Sequence, residues 1–143
     1  MAAGVRSEPY TRDILRLAAD IPDIGRLANP DASVELRSPT CGSIIRLDIA
    51  VAQGAVADCA VEIEACAFGQ ASTSLMMQSV KGCTPDRARM ALAAMQLWLD
   101  DGGPLPDWPG MATLSPVGQR RGRHGAVLLP FRALVAALEG ASA

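Results

Sequence analysis

The chain has 143 residues, half of them apolar, with 13 basic and 15 acidic side chains and a formal charge of −2. That length suits a single domain spanning 1–143 with a core of its own, and the charge balance excludes nucleic acid or an anionic membrane surface as a partner recognised by charge. No secretory-signal order opens the chain and no apolar run approaches the roughly 20 residues that span a bilayer, so the expected setting is cytoplasmic, without a membrane partner.

Two Phe, two Trp and one Tyr leave the core to Ala, Val, Leu, Ile and Met. Residues 1–9 read as a flexible N-terminus. Thr11 to Ala19 reads as a helix, with Ile14, Leu15, Leu17 and Ala18 clustered on one side and Thr11 as its cap. Pro22, Gly25 and Pro30 mark a loop. Val34 and Leu36 then alternate with Glu35 and Arg37, and Ile45, Leu47, Ile49 and Val51 alternate with Arg46, Asp48 and Ala50. Gln53-Gly54 is a turn signal, after which Cys59, Val61 and Ile63 share a face. The pattern predicts a three-stranded antiparallel meander, with Cys59 as a small hydrophobe on its apolar face.

The passage Glu64-Ala65-Cys66-Ala67-Phe68-Gly69-Gln70-Ala71-Ser72 passes from strand-like alternation to helix-like spacing, with Cys66 at the junction. A thiol at a helix start faces unpaired N–H groups and the positive end of the helix dipole, which favour the thiolate form that binds soft metals and carries sulfur. Cys66 is therefore the chemical centre expected from the residues themselves. Its expected counterpart is Cys41, in the strand-boundary turn Ser38-Pro39-Thr40-Cys41-Gly42-Ser43.

The helix from Gly69 to Val80 closes at Lys81-Gly82-Cys83, and Thr84-Pro85 opens the next as N-cap and first helical residue. Cys83, in what reads as an exposed connection, is incidental. Ala88, Ala91, Leu92, Met95 and Trp98 or Leu99 line one face of a helix running to about Asp100. Residues 101–113 are predicted as a long loop over the surface, with Trp108 as an anchoring contact. A basic run holding Arg120, Arg121, Arg123 and the sole histidine, His124, reads as a hydrated turn. The last helix is predicted from Leu129-Pro130, with Phe131, Leu134, Val135 and Leu138 on its stripe.

The ordered motifs Pro39-x-Cys41-Gly42, Ala65-Cys66-Ala67 with Gln70-Ala71-Ser72, Lys81-Gly82, and Arg123-His124 leading into Leu129-Pro130-Phe131 resemble the NifU/IscU/SufU family of iron-sulfur cluster assembly proteins. The resemblance runs from about Thr11 to Leu138. It implies an α+β fold of the SufE/NifU-like kind, a three-stranded antiparallel sheet packed against helices, with the site residues at one end. It implies a non-enzymatic assembly scaffold that holds iron, a transient iron-sulfur cluster or zinc through Cys41 and Cys66, assisted by His124 and, weakly, Ser43. A cysteine desulfurase and iron-sulfur acceptor proteins are the partners implied.

Two positions depart from the family pattern. Ser43 stands where Cys-Gly-Asp is common, and alignment on Leu129-Pro130-Phe131 puts Ala126 where a third cysteine is expected. A tetrahedral zinc or cluster iron needs close to four donors, and a neutral hydroxyl is a poor ligand for a soft metal. Two rival expectations follow: a zinc-dependent sulfur acceptor of the SufU kind, and a diverged metal-free partner of the assembly machinery. The Leu114-Ser115-Pro116-Val117-Gly118 segment departs from the Leu-Pro-Pro-Val-Lys recognised by a chaperone in the IscU branch, so that interaction is not expected.

Overall fold

A computed structural model describes residues 11–39 and 42–142. Helix α1 (Arg12–Ala19) is followed by strands β1 (Ala32–Arg37), β2 (Ile44–Ala52) and β3 (Ala55–Glu64), helices α2 (Ala67–Ser79) and α3 (Pro85–Asp101), 3-10 segments at Met111–Gln119 and Arg121–Arg123, and helix α4 (His124–Ser142). The expected α+β class and three-stranded antiparallel sheet are what the chain forms, in the order β1-β2-β3.

Local chemistry sets the boundaries. The Thr11 hydroxyl accepts the Ile14 N–H at 3.1 Å and the Thr84 hydroxyl accepts the Arg87 N–H at 3.2 Å, so α1 and α3 start at side-chain caps, with Pro85 in the first turn of α3. Gln53 and Gly54, with φ of 55° and 78°, form the two-residue turn between β2 and β3. Two left-handed central residues make a type I′ turn, whose backbone twist matches that of the flanking strands.

Ile45, Leu47 and Ile49 are wholly buried on one face of β2, against which α4 packs; α4 in turn contacts α2 and α3. Helix α2 is enclosed along nearly its whole length, from Phe68 through Met77 apart from a half-buried Gln70. The other sheet face is crossed by residues 21–31. There the Val61 N–H donates to the Asp23 carbonyl at 3.0 Å and the Gly25 N–H to the Val61 carbonyl at 2.9 Å, so the segment bridges the outer edge of β3 at Val61. It then reaches fully buried Asp48, whose carboxylate accepts from Arg26 Nε at 2.8 Å, the Leu27 N–H at 3.0 Å and the Ser33 hydroxyl at 2.7 Å. Burial alone would raise the Asp48 pKa, but the hydrogen bonds from Arg26, Ser33 and Leu27 outweigh it and hold the carboxyl below its ordinary value.

The C-terminal third differs from the sequence-based expectation. The 101–113 loop ends at Gly110, and Met111–Gln119 coils as a 3-10 segment whose Met111, Leu114 and Val117 are buried. Helix α4 begins at His124, six residues before the proline taken to mark its start, and Pro130 is its seventh residue. The proline removes only the bond its own N–H would have given the Ala126 carbonyl, and burial of Val127, Leu128, Leu129 and Phe131 holds the helix through it. Residues 121–142 are, by length and composition, apolar enough to cross a membrane, against the expectation that no run was. More than half of that stretch is buried inside the protein, and this burial accounts for its composition. Trp108 is the anchor expected of it: its Nε1–H donates to the Leu75 carbonyl at 2.8 Å, its ring meets Phe131 edge-on at 5.1 Å, and the Arg87 guanidinium lies 4.3 Å from its centroid.

Candidate metal and sulfur site

Three chain segments meet at one end of the sheet. The first is the hairpin joining β1 to β2, where the Ser38 N–H donates to the Ser43 carbonyl at 2.8 Å and the Gly42 N–H to the Ser38 carbonyl at 3.3 Å. Gly42 has a φ of 74°, which a side chain would resist. Cys41 lies outside the described residues. The second segment is the exit of β3: Glu64 pairs with Ile44, next to the hairpin, so Ala65 and Cys66 leave the sheet at the same end. The third is the start of α4. Ser72 of α2 donates its hydroxyl to the Val127 carbonyl at 2.7 Å, and a Cβ placed on Gly69 would stand 2.7 Å from Ala65 Cβ, 3.2 Å from Ala126 Cβ and 3.3 Å from the Ala126 carbonyl oxygen. Gly69 thus allows the first turns of α2 and α4 to touch.

Cys66 is the N-cap residue of α2, with extended backbone (φ −66°, ψ 170°); its side chain makes no capping hydrogen bond and is partly exposed. The other described cysteines are sealed. Cys59 is 2% exposed, as its strand face predicted, and burial pushes its thiol up to about 11. Cys83 corrects the expectation of an exposed connection: it is wholly buried, because Val56 donates its N–H to the Cys83 carbonyl at 2.9 Å and draws the α2–α3 connection onto β3. Burial raises its thiol pKa as well, with Arg87 acting in the opposite direction. Thiolates are the reactive form, so of these three Cys66 alone combines exposure with a helix-start position.

His124 is also buried rather than part of a hydrated turn, at 9% exposure. Its Nε2 lies 3.1 Å from the Val117 carbonyl oxygen and 3.3 Å from that of Gly118. Two carbonyl oxygens need an N–H between them, so Nε2 carries a hydrogen and, in the neutral ring, Nδ1 keeps the lone pair. The imidazole therefore ties the end of the Met111–Gln119 segment to the start of α4, a role that sequence spacing did not reveal. Ser43 is buried, and Ala126 is wholly enclosed against α2.

Among the described residues no three His, Cys, Asp or Glu side chains gather as a metal-holding group. Among the described residues, Cys66 Sγ and His124 Nδ1 are the soft or borderline donors near this end, Ser43 carries a hydroxyl where the family has a carboxylate, and Ala126 carries a methyl group. The described residues alone do not supply the four donors of a closed zinc site.

A family model described as the NifU-like N terminal domain matches residues 9–104. The zinc-dependent sulfurtransferase SufU of Bacillus subtilis is 39% identical over 54 residues, which make up 38% of this chain and 37% of that protein. The chain therefore aligns with little more than a third of that curated relative. A nitrogen-fixing NifU-like protein (N-terminal) from Brucella abortus superposes with a TM-score of 0.88 at 36% identity, covering 92% of this chain and 93% of that one. A putative scaffold protein for the SUF system from Fervidobacterium islandicum shares the fold, with a TM-score of 0.82 at 22% identity over 91% of this chain and 96% of the other. The chain belongs to the family of NifU-like N-terminal domains.

Proposed function

We propose that this chain serves iron-sulfur cluster assembly by accepting sulfur on Cys66, with Cys41 as the second thiol and the nascent cluster as cargo rather than resident cofactor. One observation carries the reading: Cys66 is the partly exposed N-cap of an otherwise enclosed helix, while Cys59 and Cys83 are shut into the core. The donor is a cysteine desulfurase carrying a persulfide. The Cys66 thiolate attacks the outer sulfur, a new sulfur–sulfur bond forms on Cys66, and the desulfurase thiolate leaves with the electron pair of the broken bond. Cys41 then attacks the outer sulfur in turn or shares iron delivered to the site, and iron-sulfur acceptor proteins take the product.

A second reading is supported by the match to the SufU protein of Bacillus subtilis: a sulfur acceptor ordered by zinc. Ser43 and Ala126 weigh against it, because they remove two donors from the family's set.

The test is anaerobic incubation with a cysteine desulfurase and radiolabelled cysteine, followed by peptide mapping, on the parent chain and its Cys41→Ser and Cys66→Ser variants. Label on the Cys66 peptide, lost in Cys66→Ser, is the expected result. A parent chain that takes up no sulfur, or label that persists without both cysteines, overturns the reading. Metal content and optical spectra after reconstitution with iron and sulfide distinguish a carried cluster from bound zinc.

A further inference from the structure

A cleft of about 790 Å³ opens beside the site between the β1–β2 hairpin, the C-terminal end of α3 and the start of α4. Its wall carries Arg37, Arg121 and Arg132 against a single carboxylate, Asp100. Apolar floor is provided by Leu99, Leu128 and Leu129, all nearly buried. Three guanidiniums against one carboxylate leave the cleft locally positive in a chain whose formal charge is −2. These arginines are also unspent. Arg26, Arg46 and Arg89 are paired with carboxylates and Arg87 is held by Trp108 and the Ser79 carbonyl, whereas Arg37, Arg121 and Arg132 are exposed and have no ion-pair partner among the described residues. Guanidiniums left open around an apolar floor suit carboxylates borne on a segment that also has an apolar side chain.

We infer that this cleft docks an extended acidic peptide segment with interspersed leucine-like residues, presented by the protein that delivers sulfur to Cys66. The inference rests on the sulfur-acceptor reading for the origin of the segment, and charge complementarity selects its chemistry. His124 and Ser38 line the cleft and also belong to the convergent segments at the sheet end, so a chain seated there lies against the site.

The experiment uses a fluorescein-labelled peptide of alternating Glu and Leu and follows anisotropy in dilute buffer and at high salt, without desulfurase or sulfur. Its result is therefore independent of whether Cys66 accepts sulfur. Binding is expected for the parent, weakened roughly tenfold or more in Arg37→Gln/Arg121→Gln/Arg132→Gln and by salt, since three charge-assisted contacts to a partly exposed wall are lost or screened. Arg12→Gln/Arg16→Gln, which removes two α1 charges with no ion-pair partner among the described residues, should bind as the parent does. Circular dichroism confirms that both variants are folded. The inference is overturned if the triple variant binds as tightly as the parent, if the α1 variant loses binding equally, or if Gln-Leu peptide binds as well as Glu-Leu.

Discussion

Substituting Gly69 by Ala sets two effects of known sign against each other. Ala is favoured over Gly inside a helix by about 1 kcal/mol, so a general rule predicts stabilisation. At this position the added methyl would stand 2.7 Å from Ala65 Cβ and 3.2 Å from Ala126 Cβ. Both neighbours are methyl groups fixed to backbone, so relief requires moving α2 against α4 or against the end of β3. Overpacking of that kind costs about 2–3 kcal/mol, leaving a net loss of about 1–2 kcal/mol once the propensity gain of about 1 kcal/mol is subtracted. Gly140, also in a helix, supplies the control: a Cβ there would meet only Ala32 Cβ, at an ordinary 3.9 Å. Gly140→Ala should therefore stabilise by up to about 1 kcal/mol. Urea titration followed by the fluorescence of Trp98 and Trp108, both buried, measures the two variants together. For a chain of this size the loss at Gly69 corresponds to a Tm lower by about 3–6 °C. Equal stabilisation by the two substitutions would refute the close approach of Gly69 to Ala65 and Ala126 that joins the starts of α2 and α4.

Three further outcomes are expected. Asp48→Asn should destabilise the fold by about 1–3 kcal/mol, since it weakens acceptors for Arg26, Ser33 and Leu27. Because the folded Asp48 pKa lies below its unfolded value, the carboxylate's contribution is complete above the unfolded value, near 3.8, and is lost as pH falls through the folded one; acid titrations should show a shallower fall for the variant. With Ellman's reagent in a Cys41→Ser background, a single thiol should react quickly in the native protein and two more only on unfolding, with the fast phase abolished by Cys66→Ser. Ala126→Cys, which returns a thiol next to the first turn of α2, should retain zinc through gel filtration where the parent does not, as judged by metal analysis.

What the sequence disclosed follows from where periodicity is strong. Strict alternation along Ile45, Leu47 and Ile49 and the Thr84-Pro85 cap signal gave the sheet and the start of α3, because strand period and capping are local properties. The C-terminal third was misread for a tertiary reason. Pro130 is a local signal for a helix start, yet its tolerance inside α4 depends on apolar neighbours packed against other elements. His124 and Cys83 were misplaced by the same logic: short polar or glycine-containing surroundings suggest solvent, while carbonyls of Val117 and Gly118 in one case, and β3 in the other, enclose them. At the site, Cys66 was visible because a strand-to-helix transition is written in the residues. The cleft arginines were not, since Arg37 and Arg132 come from elements ninety-odd residues apart (132 − 37 = 95) and meet only in the folded chain.

The strap formed by Asp23 to Gly25 has a consequence for how this protein meets extended chains. It engages both main-chain groups of Val61 on the outer edge of β3, and the Gly82–Cys83 connection engages both of Val56, so that edge is interrupted at two points. An extended chain laid along that edge would meet main-chain groups already spoken for at both places, so it could not pair there over an unbroken length.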